Sequence, residues 1–354
     1  MALDSIMKSI SAIIFLAVMG SGAPSTEKGA LSPFDVKLEL HGNSTLRVTI
    51  TNKDDKAHKI LKTGGLLCDT LNEKVRVFSG ADRMDPVPFK GVHVHVAKHA
   101  LNHSSFEIIA PGQRIETKFD AAEAHDLSSG GKFGFVADGF FAVADEQHNL
   151  VRSVPYVSNY LTAEIDGVAS AAIHAAVHKR SRVQGDCQSQ AARAIQADIT
   201  HCARLAQRSQ QEACQGTRRF VEYFKRSDPE ARGIVSAVYG RIAQECSSMR
   251  SGAKFFCGDA MNQCSDAILA YTMPSMGLMA YCPGFYQTPY QSRGCHEQDQ
   301  GNVVLHEVSH LRHIQGTEDY AGYGYDFIRS LPPQMNLNHA DTYALFAQAV
   351  ELGC

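Results

Sequence analysis

The sequence lacks a charge excess, an apolar run long enough to span a membrane, and cysteine through most of its first half. Its 354 residues carry a formal net charge of -3, which gives no electrostatic case for binding nucleic acid or an anionic membrane surface. Beyond the N-terminus no stretch is long and apolar enough to span a bilayer. There is no internal repeat and no low-complexity tract. Tryptophan is absent altogether, and that absence excludes nothing. Cys68 stands alone in the first half, and the other nine of the ten cysteines lie from Cys187 onward. Lysine is scarce after residue 180, where only Lys225 and Lys254 remain among many arginines.

What is present is globular material. Hydrophobic residues make up 44% and charged residues 20%, and the length allows two domains with separate cores. Residues 1–23 read as a signal peptide: Lys8 gives the positive charge, an apolar run extends over 10–19, and Gly20, Ser21, Gly22 and Ala23 follow. The expected product is a secreted, extracellular protein with no membrane attachment after signal removal, in which most cysteines form disulfides.

Residues 24–180 read as a β-rich domain. Apolar and polar residues alternate at 36–40 and 46–50, with further short strands at 75–78, 92–96 and 133–136, spaced as in a sandwich. Two glycosylation sequons begin at Asn43 and Asn102. His93 and His95 share one face of their strand; metal binding is one reading, and a plain exposed strand face is the favoured one. An Ala-rich stretch over 165–180 ends in His178-Lys179-Arg180. A dibasic pair at this change of grammar suggests proprotein cleavage. From residue 181 the pattern is helical, at 191–206, 221–224, 234–246 and 341–352. The predicted fold is multi-domain α+β: a β-sandwich-like propeptide, then a mainly helical domain over 181–354 with a small antiparallel sheet.

His306-Glu307-Val308-Ser309-His310 matches H-E-x-x-H. Residues four apart on a helix lie about 6 Å apart on one face, so both imidazoles can reach one zinc ion. Glu307 points beside the metal instead, where a carboxylate can act as general base. Val303, Val304, Leu305 and Val308 give the helix apolar surface to bury. A third protein ligand is required. His313 is displaced around the helix, Glu318 and Asp319 follow a chain break at Gly316-Thr317, and Asp341 begins the last helix. A metzincin would carry His where Gly316 stands.

Several ordered motifs accompany the H-E-x-x-H: Leu269-Ala-Tyr-Thr-Met-Pro-Ser275, Cys282-Pro-Gly-Phe-Tyr286, Cys295-His-Glu-Gln-Asp-Gln300, Gly316-Thr-Glu-Asp319 and Asn338-His-Ala-Asp-Thr-Tyr-Ala-Leu-Phe346. Together they resemble the deuterolysins, the aspzincin metalloendopeptidases of family M35. The first half resembles them through Lys74-Val-Arg-Val-Phe78 and Val87-Pro-Phe-Lys-Gly91. The resemblance implies one zinc ion on His306, His310 and Asp319, with Asp341 as fallback ligand or as a partner that orients one. It implies Tyr323 as the group that stabilises the oxyanion, although one residue more than the family pattern separates Asp319 from Tyr323-Gly324. It implies the pairs Cys187–Cys257, Cys264–Cys282 and Cys295–Cys354, each worth ~3 kcal/mol by chain entropy. Cys202–Cys214 is then a plausible fourth bridge, which leaves Cys246 free, and Cys68 reads as a buried free thiol. The strand over 278–281 is expected to be the edge that holds an extended substrate.

The implied activity is hydrolysis of protein or peptide substrates by a monomeric enzyme, made as a zymogen whose propeptide inhibits it or assists its folding. A preference for basic proteins belongs to the family, and the lysine depletion is in keeping with it. The competing reading is a secreted, disulfide-rich binding protein with an inactive or structural zinc site; the intact Glu307 argues against it.

Overall fold

Alternating apolar residues need a face to bury, and the first half supplies it by pairing strands into sheets. The computed structural model describes residues 32–80, 85–179, 187, 189–247 and 252–354. The expected signal peptide and Arg180 of the dibasic pair lie outside them. The strands are β1 (Phe34–Leu40), β2 (Thr45–Asn52), β3 (His58–Leu61), β4 (Arg76–Ser79), β5 (Asp85–Pro86), β6 (His93–Val96), β7 (Phe106–Ile109), β8 (Arg114–Asp120), β9 (Gly131–Val136), β10 (Asp138–Ala144), β11 (Leu150–Val157) and β12 (Leu161–Ile165). Three sheets run β1-β2-β8, β11-β10-β3-β7 and β12-β9-β4-β5. Their inward residues, among them Val36, Leu38, Val48, Ile50, Phe133 and Phe135, form one apolar core. A short helix α1 (Ala121–Ala124) and the Ala-rich α2 (Gly167–Lys179) complete this half. The Asn43 sequon is tied to α2: its amide donates to the Asp166 carbonyl at 3.0 Å and to Ser170 Oγ at 2.9 Å.

The second half is built on α3 (Ser189–Gln215), α4 (Arg218–Phe224) and α5 (Pro229–Ser247), then β13 (Lys254–Phe256), β14 (Ile268–Met273) and β15 (Leu278–Tyr281), then α6 (Gln300–Ser309), α7 (Tyr325–Ser330), α8 (Pro333–Asn336) and α9 (Ala340–Leu352). Its core is mostly helical, with Phe220, Tyr223, Tyr239, Leu305 and Phe346 among its buried residues, and it takes in Ala97 from the first half. Cys187–Cys257, Cys264–Cys282 and Cys295–Cys354 pair as the resemblance implies. The fourth bridge does not: Cys202 pairs with Cys246, and Cys214 is free. Cys202 and Cys214 sit on the same helix, α3. Twelve residues of helix separate them by about 18 Å, far beyond disulfide reach. Cys68 is half-buried and free, with its sulfur 3.0 Å from Thr70 Oγ1.

The small sheet differs from expectation in two ways. It is mixed, because β13 pairs with β15 in parallel while β14 pairs antiparallel. Its order is β13-β15-β14-β6, so β15 is internal, and the strand next to the first half is β14. β6 comes from the first half and is the fourth strand of the second half's sheet. Residues Ser32–Cys354 thus form one compact unit with two principal cores. Val92, Val94 and Val96 are fully buried where the halves meet, each worth about 1.5–3 kcal/mol of burial.

The helix α6 is buried along its whole length. Asp299 caps it, accepting from the Asn302 amide at 2.8 Å. Gly301 lets α3 approach: a Cβ there would fall 2.4 Å from His201 Nδ1. On α3, Asp198 is buried, and neither carboxylate oxygen has a partner among the described residues. Burial, reinforced by the Asp299 carboxylate, pushes it up to about 7. The fold therefore binds this proton more tightly than the unfolded chain, so stability falls as pH rises from about 4 through about 7. Asp198→Asn is expected to raise the thermal midpoint by several degrees at pH 8 and to leave it unchanged at pH 4; a loss at both would reject the neutral-carboxyl reading.

Candidate metal centre

The burial of α6 fixes His306, and the turn after it fixes His310, the C-cap, whose backbone is still helical. Both are fully buried. The His310 ring donates from Nδ1 to the Thr317 carbonyl at 2.7 Å, which selects the tautomer whose Nε2 lone pair faces inward. The loop 316–319 turns back on Gly316, at φ +65°, and is pinned beside α9: Glu318 N donates to Asn338 O at 2.9 Å and Ala340 N to Glu318 O at 3.1 Å. His339 bridges the Asp319 and Gly322 carbonyls, each at 3.1 Å.

The turn brings Asp319 Oδ1 to 3.0 Å from His306 Nε2 and 3.4 Å from His310 Nε2. Donors bound about 2 Å from one tetrahedral ion stand roughly 3.3 Å apart. All three atoms are buried and none has a hydrogen-bond partner. Two imidazoles and a carboxylate form a donor set that suits zinc and leaves a position open. Asp341 faces the other side of His306, with Oδ1 3.5 Å from Nδ1. Its Oδ2 accepts from Gly324 N at 2.5 Å, so it orients the imidazole and the 323–324 turn together.

The electrostatics call for a cation. Burial opposes a charge on His306, yet the Asp319 and Asp341 carboxylates raise it to about 10. Burial takes His310 down to about 4. Asp319 is held well below the usual carboxylate range, its burial outweighed by His310, His306 and His93.

Glu307 is fully buried, and burial pushes it up to about 7. The Thr272 hydroxyl on β14 donates to its Oε2 at 2.6 Å and to its main-chain carbonyl at 3.1 Å. Oε1 is left without a partner. One oxygen is anchored and the other is free to accept a proton. Thr272 was not singled out from sequence, although it lies within the Leu269–Ser275 motif. His313 takes no part: it pairs with Glu245 at 2.9 Å. Before Tyr323, Tyr320 and Ala321 adopt φ of +49° and +52°. The Tyr323 ring is buried, 6.2 Å from that of His306.

The largest departure concerns His93 and His95, which are not on an exposed face. They are 9% and 1% exposed and lie against the site. Each joins two of the expected site residues in a trio of donors within 4.8 Å of one another: His93 with His310 and Asp319, and His95 with His306 and Asp341. A cleft of about 510 Å³ opens beside Asp319, lined by both halves, including Glu73, Arg76, His93 and Glu318.

Comparisons with known proteins give a consistent result. The model of the deuterolysin metalloprotease (M35) family matches residues 6–354. A neutral protease 2 homologue of Colletotrichum graminicola is 40% identical over 351 residues, covering 98% of this chain and 99% of its own. One from Phaeosphaeria nodorum is 39% identical over 350 residues, with coverage of 98% and 99%. Another, from Coccidioides posadasii, is 36% identical over 323 residues, with coverage of 89% and 88%. Among solved structures, a zinc peptidase from Grifola frondosa aligns with 46% of this chain and 97% of its own, at 22% identity and a TM-score of 0.39.

Proposed function

The chain belongs to the deuterolysin metalloprotease (M35) family and is a zinc metalloendopeptidase, and from that premise we propose that His306, His310 and Asp319 hold its metal and that residues 24–180 keep it latent. The observation that carries this reading is the convergence of two unpartnered Nε2 atoms on Asp319 Oδ1, beside a Glu307 with one free oxygen. Zinc held there would lower the pKa of a bound water toward ~7 and polarise the scissile carbonyl. Glu307 takes the water's proton at Oε1 and passes it to the leaving amine nitrogen, while Thr272 holds Oε2. Tyr323 donates its hydroxyl hydrogen to the developing oxyanion. An extended substrate pairs along β14, the strand that also carries Thr272.

In this reading residues 1–23 direct secretion, cleavage follows Lys179-Arg180, and residues 181–354 act as a monomer with a preference for basic proteins. The lysine scarcity of that half supports the last point, since a Lys-directed enzyme would spare itself. Four disulfides among the described residues suit an oxidising compartment. Among the described residues no helix is long and apolar enough to cross a membrane.

The test compares the processed protein with a Lys179→Ala/Arg180→Ala variant on casein and protamine. The processed form is expected to hydrolyse both, protamine faster, with activity abolished by a chelator and restored by zinc. The variant is expected to accumulate full-length, at background activity. A normal mature N-terminus in the variant would reject the cleavage site; stoichiometric zinc without turnover in the processed form would reject the catalytic roles.

A further inference from the structure

β6 pairs antiparallel with β14, setting His93 opposite Thr272, Val94 opposite Tyr271 and His95 opposite Ala270. Residues two apart in a strand share a face. Here that face looks onto the metal residues. The His93 ring stacks on His310 at 4.4 Å with 10° between planes, and its Nδ1 lies 3.6 Å from Asp319 Oδ2. The His95 ring lies 4.0 Å from that of His306, and its Nδ1 is 3.7 Å from Glu307 Oε1. Between them, the Val94 carbonyl accepts a hydrogen bond from Tyr323 at 2.5 Å, the hydroxyl assigned to the oxyanion. Gln298 fastens the end of the strand, donating to Val96 O at 2.7 Å and accepting from Lys98 N at 2.8 Å.

His95 Nδ1 is buried and has no hydrogen-bond partner. An unpaired buried nitrogen costs free energy that an apolar residue would not. Val92, Val94 and Val96, on the strand's opposite face, are apolar, and the other buried polar residue, His93, faces Asp319. A strand that only filled the cleft would do so better with valine at 95 as well. The nitrogen is explained if it has a ligand to meet.

We propose that in the unprocessed chain β6 occupies the substrate cleft as an extended peptide and that His95 donates Nδ1 to the metal, at the open position the hydrolytic water needs. His93 braces the arrangement by stacking on His310 and facing Asp319. The Val94 carbonyl accepts from Tyr323 as a scissile carbonyl would, and the Val94–His95 bond survives because the imidazole takes the place of the water. This rests on the assignment of His306, His310 and Asp319 as ligands.

The test uses the uncleaved full chain (Lys179→Ala/Arg180→Ala) loaded with Co2+, whose visible absorption reports ligand number and type. His95→Phe keeps the ring's bulk without its nitrogen, and His95→Ala removes both. The parent is expected to give the intense bands of a four-coordinate site that do not respond to azide. Both His95 variants are expected to shift those bands, respond to azide, and lose the Co2+ to a chelator about tenfold faster or more. Unchanged bands and release rates in the two variants would overturn the inference and leave the ligand assignment standing. A parent without stoichiometric metal, or one whose bands are indifferent to His306→Ala, would overturn both together.

Discussion

Glu307→Gln in the processed enzyme is expected to lower kcat/KM by about 10³, within the 10²–10⁴ typical of a general acid–base group, and to leave zinc content and thermal midpoint unchanged. The amide keeps the shape of the side chain, and its oxygen can still accept from Thr272, which now bonds Oε2 at 2.6 Å. What it loses is the proton acceptor at the second oxygen, which is buried and unpartnered. Steady-state kinetics on a peptide substrate, with zinc measured on the same sample, checks both halves of the expectation. Turnover within tenfold of the parent would remove Glu307 from the mechanism.

The second large effect separates two aspartates that the sequence leaves in competition. Asp319→Ala is expected to abolish stoichiometric zinc, whereas Asp341→Asn should weaken binding by about 10–100-fold, as loss of an orienting partner does. The difference lies in which nitrogen each carboxylate faces. Asp319 Oδ1 stands near Nε2 of both histidines, at 3.0 and 3.4 Å. Asp341 stands 3.5 Å from His306 Nδ1 and holds the Gly324 amide, so its loss disturbs the imidazole and the Tyr323 turn without removing a donor. Zinc titration with a competing chelator ranks the two variants. The reverse order would exchange their roles.

Local signals carried well from sequence to structure. The alternation at 36–40 and 46–50 lies within β1 and β2, and the helical spacing at 191–206 within α3, because each pattern is set by residues a turn or two apart. H-E-x-x-H was legible for the same reason. What could not be read was which distant segments meet. The alternation at 92–96 gave a strand and put His93 and His95 on one face, but their neighbours on β14 and α6 lie some 170 to 220 residues further on. Without that partner in view, the sequence points to an exposed face. The choice of the strand over 278–281 as the edge failed likewise, since β15 is internal once β13 pairs with it. Cys202 and Cys214 looked close in sequence, and a straight helix keeps them apart. Thr272 carries no signature of its own; it matters because β14 runs beneath Glu307.

β6 belongs by sequence to one half and by hydrogen bonding to the other, which makes backbone scission and release separate events. If β6 blocks the cleft as proposed, the continuous chain holds it there at an effective concentration in the millimolar range. After the proposed cut only ordinary association would keep it in place, and the released half would act as a reversible inhibitor in trans. Cut material should therefore stay silent when concentrated and gain specific activity on dilution, so that leaving a crowded compartment for open medium itself acts as the trigger.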